Sequence, residues 1–102
     1  MLIYCAHKYG GKEENKRRAE MLVRTMQTNN TKNTYISPIH TFGYMYNDLS
    51  YDEGMELCLS LLDKCDTLYV LSDESEGVRR EIDFALKNRK NIFFMKECIE
   101  NA

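Results

Sequence analysis

The sequence predicts an α/β fold, a flavodoxin-like or Rossmann-like three-layer sandwich built on a four-stranded parallel sheet in the order 2-1-3-4. Two observations carry this expectation. Short apolar runs alternate with longer segments whose apolar residues recur at helical spacing, giving β-α-β-α-β-α-β along 102 residues. The run Thr67 Leu68 Tyr69 Val70 Leu71 has consecutive apolar residues, as in a strand covered on both faces, and alternating strands and helices imply right-handed parallel crossovers.

Leu2 Ile3 Tyr4 Cys5 Ala6 reads as the first strand and His7 Lys8 Tyr9 Gly10 Gly11 as the loop after it. From Lys12 to about Gln27, Ala19, Leu22, Val23 and Met26 mark a helix with Glu13 and Glu14 in its first turn, where the dipole favours them. Residues 28–33 form a polar break. Thr34 Tyr35 Ile36 Ser37 follows as a second strand ended by Pro38, which cannot donate to a ladder. Residues 39–50 show no clear period and bring Phe42, Tyr44, Met45 and Tyr46 together around Gly43, so they are expected to form a long loop able to act as a lid.

The second helix starts at Tyr51, with Ser50 as N-cap and Glu53 completing a capping box. Met55, Cys58, Leu59, Leu62 and Cys65 form its apolar stripe, and Leu57 and Leu61 widen it enough to suggest a subunit contact. After the third strand, a helix from about Ser75 to Asn88 is expected to bury Val78, Ile82, Ala85 and Leu86. Asn91 Ile92 Phe93 Phe94 Met95 is the last strand, and the remaining residues read as a weak tail. The whole of 1–102 is expected to be one domain.

Composition narrows the function. Fourteen Lys and Arg against sixteen Asp and Glu give a net charge of −2, which argues against bulk attraction to nucleic acid or an anionic membrane. The apolar runs fall short of the ~18 residues needed to span a membrane, and no signal pattern opens the chain, so a cytoplasmic protein is expected. Cys5, Cys58, Cys65 and Cys98 lack zinc-module spacing and read as reduced thiols, with a nucleophilic Cys5 near His7 as the alternative. Neither a metal nor a cofactor is expected.

In the predicted sheet a crevice opens at the C-terminal ends of strands 1 and 3. It would gather His7, Lys8, Tyr9, Gly10 and Gly11 from one side and Ser72, Asp73, Ser75 and Gly77 from the other, with Phe42 from the lid. Ser75 can cap the following helix, while Gly77 leaves its N-terminus open to a ligand. Glu81 lies about one turn inside that helix. A carboxylate there can attack or stabilise an anomeric carbon as an N-glycosidic bond breaks; its alternative role is an ion pair with Arg79, Arg80 or a loop cation. Tyr9, His7 or Asp73 could protonate the departing base, and Lys8, Lys12 or Arg79 could neutralise a phosphate.

The glycine-bearing loop after strand 1, Ser37 Pro38 Ile39 His40, Leu61 Leu62 Asp63 Lys64 Cys65 Asp66 and Ser75 Glu76 Gly77 Val78 Arg79 Arg80 Glu81 stand in an order and spacing that resemble the nucleoside 2-deoxyribosyltransferase-like superfamily. Within it, the chain resembles a set of small domains common in phages and prophages. The resemblance implies cleavage or exchange of the N-glycosidic bond of deoxynucleosides or their 5′-monophosphates, with Glu81 as nucleophile. Cys58 stands where active relatives commonly carry an Asp, and Asp66 is expected to cap the turn into strand 3. The expected ligand is a nucleoside, nucleotide or ADP-ribose-like compound, with Tyr9 assigned beside Glu81 as catalytic. Three roles stay open: an N-glycoside hydrolase or transferase, a non-catalytic protein that sequesters a nucleotide signal, and an interaction module with a vestigial pocket. A homo-oligomer, dimeric or higher, is expected from the exposed sheet edge.

Overall fold

In the computed structural model, which describes residues 1–95, four short strands form one parallel sheet. They are β1 (Leu2–Ala6), β2 (Thr34–Ile36), β3 (Thr67–Val70) and β4 (Asn91–Phe94), ordered β2-β1-β3-β4 as the sequence predicts. In register, Leu2 faces Thr34, Ile3 faces Thr67 and Thr67 faces Asn91. Asp66 ties the start of β3 to β1: its carboxylate accepts from Leu2 N–H at 2.9 Å, and its own N–H donates to Leu2 O at 2.9 Å. Cys98 and the expected tail lie outside the described residues.

The alternation of side chains in β1 divides the core into two layers. Ile3 and Cys5 pack with Leu22, Val23 and Met26 of α1 (Glu13–Asn29). Tyr4 and Ala6 point to the opposite face, against Leu62 of α3 (Tyr51–Asp63) and Val78, Ile82 and Ala85 of α4 (Glu76–Lys87). This is the predicted sandwich. Leu62 is fully buried in the second layer, so Leu62→Ala is expected to destabilise the fold by about 2–5 kcal/mol, read as a shift in the denaturant midpoint with unchanged slope.

Local chemistry explains the helix starts. Ser50 Oγ accepts from Glu53 N–H at 3.1 Å while Glu53 Oε1 accepts from Ser50 N–H at 2.9 Å, completing the expected capping box of α3. Ser75 Oγ accepts from Val78 N–H at 3.2 Å and caps α4.

The expected loop after β2 is instead a short helix, α2 (Pro38–Phe42), followed by one 3₁₀ turn, Gly43–Met45. Ser37 caps α2 and Pro38 occupies its first turn, where a missing N–H costs nothing. A second expectation also fails. Leu86 is 63 % exposed: at 100° per residue it lies at the edge of the Val78–Ile82–Ala85 stripe, about 40° beyond Ile82.

Candidate functional site

A cavity of about 430 Å³ opens beside the C-terminal end of β1, between the loop after that strand, α2 and its 3₁₀ turn, α3 and the start of α4. Its position follows from strand order, since the loops after β1 and β3 diverge into helices on opposite faces of the sheet. Pro38, Ile39, Phe42, Met45 and Tyr46 make one wall and Tyr51, Met55 and Val78 another, so the lining is mostly apolar and aromatic.

Glu81 lines this space from α4 and is only 5 % exposed. The apolar stripe of α4 carries it inward, because it follows Val78 by three residues and precedes Ile82 and Ala85 on the same face. Tyr4, fully buried in β1, donates its hydroxyl hydrogen to Glu81 Oε2. Burial pushes the Glu81 carboxyl up to about 7, against the lowering effect of that hydrogen bond. Burial likewise holds the Tyr4 phenol well above its ordinary range, reinforced by the Glu81 charge. Cys58 of α3 joins this group: it lines the cavity, interacts with both Tyr4 and Glu81, and has its thiol pushed up to about 11, chiefly by burial. The result is a carboxyl that can be ionised or protonated near neutral pH and is held in one orientation.

His7 enters from the loop after β1. Its Nδ1 lies 2.7 Å from Lys8 O, its Nε2 is buried without a partner, and burial lowers its pKa. Beside it, the Tyr9 ring meets Tyr46 edge to face, with centroids 5.1 Å apart. Arg80 lies over the Tyr51 ring, 5.5 Å from its centroid, and pairs with Asp52 at 3.0 Å, bracing α3 against α4 at the cavity wall. Among the described residues there is no group of three or more His, Cys, Asp or Glu that could hold a metal ion.

Residues 1–94 match the family described as a domain of unknown function, DUF4406. The chain belongs to the DUF4406 family. No curated protein matches it.

In this DUF4406 domain the sequence-assigned site residues divide into two groups. Glu81, Tyr9, His7, Gly10, Ser75, Gly77 and Phe42 all line the cavity, whereas Lys8, Gly11, Ser72 and Asp73 do not. Of those outside the lining, Lys8, Ser72 and Asp73 join the loops after β1 and β3. Ser72 Oγ accepts from Lys8 N–H and donates to Asp73 O, each at 2.9 Å, and Lys8 Nζ pairs with Asp73 Oδ1 at 2.9 Å.

Gly11 supports the cavity wall from behind. Its φ is +71°, and a Cβ there would lie 2.8 Å from Tyr46 Cε1. Gly11→Ala therefore combines left-handed strain of roughly 1–2 kcal/mol with a displaced Tyr46. The expected outcome is a lower Tm together with changed fluorescence of the tyrosine cluster.

Two alternatives are corrected. Glu81 makes no ion pair with Arg79 or Arg80, since Arg79 pairs with Glu74 at 3.5 Å and Arg80 with Asp52. Cys5 is 1 % exposed on the α1 face of β1, does not line the cavity, and has its thiol pushed up to about 12, mainly by burial; it is a core side chain and not a nucleophile.

Sequence reasoning missed Tyr4 as the partner of Glu81 and the cavity walls from α2 and α3. Ser37-Pro38 was a readable helix start. Cys58, read as part of an apolar stripe, turns toward Glu81 because the sheet face it packs on also carries Tyr4.

Proposed function

We propose that the cavity binds a nucleoside, nucleotide or ADP-ribose-like ligand and that Glu81 cleaves or exchanges its N-glycosidic bond. The observation that carries this reading is the buried Glu81 carboxyl, oriented by Tyr4 at an apolar cavity whose aromatic wall can stack on a base. The sequence resemblance to nucleoside 2-deoxyribosyltransferase-like proteins supports the same chemistry.

In the proposed reaction a Glu81 carboxylate oxygen forms a bond to the anomeric carbon as the carbon–nitrogen bond breaks. The base leaves with the electron pair and takes a proton from the Tyr9 hydroxyl. Water, or a second base, then attacks the same carbon, returns a proton to Tyr9 and releases Glu81. The protein would act in the cytoplasm, that of the host if it is phage-encoded. It would assemble as a homo-oligomer, using an edge on which Phe93 and Phe94 are exposed.

A non-catalytic sequestering role is the second reading, favoured by the Cys58 thiol where a second carboxyl beside Glu81 would serve an enzyme. The two are separated by incubating the protein with deoxynucleosides, their 5′-monophosphates, NAD and cyclic nucleotides, followed by mass spectrometry of free and retained fractions. Released base is the expected result. An intact retained compound makes the protein a sequestering binder, and an unchanged panel with nothing retained contradicts both readings.

A further inference from the structure

The cavity wall has a one-sided charge. Its lining holds two carboxyl groups, Glu76 and Glu81, and among the described residues no Lys or Arg. Nearby cations are engaged elsewhere: Lys8 with Asp73 at 2.9 Å, Arg79 with Glu74 at 3.5 Å and Arg80 with Asp52 at 3.0 Å. A phosphate brought against this wall would meet like charge in apolar surroundings, where an unpaired charge is strongly disfavoured. The N-terminus of α4 offsets this only in part. Its first residue is Glu76, and its Val78 N–H is already taken by Ser75 Oγ at 3.2 Å.

His7, one of the residues lining the same cavity, carries a buried neutral acceptor. His7 Nδ1 lies 2.7 Å from Lys8 O, and a carbonyl oxygen can only accept, so Nδ1 carries the hydrogen. Burial lowers the His7 pKa, outweighing the opposing effects of the Lys8 carbonyl bond and the Asp73 charge, so in the neutral ring Nε2 holds a lone pair. That atom is buried without a partner, in a residue only 5 % exposed that lines the cavity. An unsatisfied buried acceptor is costly to the fold, and a ligand N–H or O–H would relieve that cost.

Building on the nucleotide-site reading, we propose that the ligand is an uncharged nucleoside carrying no phosphate, and that His7 Nε2 selects it by accepting a hydrogen bond from a sugar hydroxyl or a base N–H. Affinity then comes from stacking on the aromatic wall and from this one acceptor, while the carboxyl-lined wall rejects the phosphorylated form. His7 is a substrate-contacting residue in this arrangement, and Lys8 O sets its tautomer.

Two substitutions separate the ring's two nitrogens. His7→Asn keeps an amide N–H near the Nδ1 position for Lys8 O and deletes the cavity acceptor, whereas His7→Gln carries an amide oxygen to the Nε2 position. Equilibrium dialysis with mass-spectrometric readout would use the common deoxynucleosides and ribonucleosides, each beside its 5′-monophosphate. Wild-type protein is expected to bind at least one nucleoside about tenfold or more tighter than the matching monophosphate. His7→Asn should lose about tenfold in that affinity without a fall in Tm, and His7→Gln should recover most of the affinity. Equal or tighter binding of the monophosphate, or wild-type affinity in a folded His7→Asn, overturns this inference and leaves the nucleotide-site reading standing. Retention of no probe overturns both, and the nucleoside-to-monophosphate ratio in wild-type protein decides the matter even if a variant does not fold.

Discussion

Glu81→Gln is expected to lower base release by roughly a thousandfold or more while changing nucleoside affinity only a few-fold, because it removes the proposed nucleophile and keeps the shape of the side chain. The Gln amide oxygen can still accept the Tyr4 hydroxyl hydrogen, so the floor of the cavity is preserved. Turnover by wild-type protein should rise with pH through about 7, where the Glu81 carboxyl loses its proton. A merely structural Glu81 predicts something different: loss of binding and of stability together. Steady-state rates and equilibrium dialysis on the same preparations distinguish the two.

The second large effect is on stability, and it runs opposite to activity. Burial raises the Glu81 carboxyl from 4.5 to about 7, so between those values the folded chain holds a proton that the unfolded chain has released. The resulting stabilisation is greatest, relative to high pH, below about 4.5 and is lost as pH rises through about 7. Its full size is roughly 3 kcal/mol, since each tenfold change in proton affinity between the two states is worth about 1.4 kcal/mol. His7 acts in the other direction. Its lowered pKa means that the unfolded chain takes up a proton first as pH falls through about 6.5, which costs stability on the acid side. The Glu81 contribution is isolated by the difference between wild type and Glu81→Gln: the variant should gain in relative stability as pH is raised from about 5 to about 8. Denaturant midpoints measured across that range check this, and a pH-independent difference would mean that the carboxyl titrates alike in both states.

The strands and the three longer helices could be read from the sequence because each has a local signature. β1 and β3 are apolar over consecutive residues, α4 has a 3.6-residue stripe, and Ser50 and Ser75 cap their helices through contacts three residues away. Strand order followed from crossover handedness. What failed was the segment between Pro38 and Met45, where a five-residue helix is too short to show a period. Leu86 was misplaced because a hydrophobic residue at the edge of a stripe looks the same in sequence whether it is covered or not.

For the site, the sequence brought Glu81, His7, Tyr9, Ser75 and Gly77 to one crevice, and all line the cavity. It could not foresee that Lys8 and Asp73 would join the two loops as an ion pair. Nor could it find Tyr4, whose pairing with Glu81 spans 77 residues and depends on which face of β1 meets α4. Tertiary packing decides that face, and no local pattern encodes it.

In the proposed reaction Glu81 carries the sugar between bond breaking and release. The most direct measurement is mass spectrometry of the intact protein, and of its peptides, after mixing with a saturating deoxynucleoside and quenching in acid within the first turnovers. One pentosyl unit attached to the peptide bearing Glu81, and absent from Glu81→Gln, is the expected result. Free base released with no adduct on that peptide, at the same rate in wild type and Glu81→Gln, would contradict it.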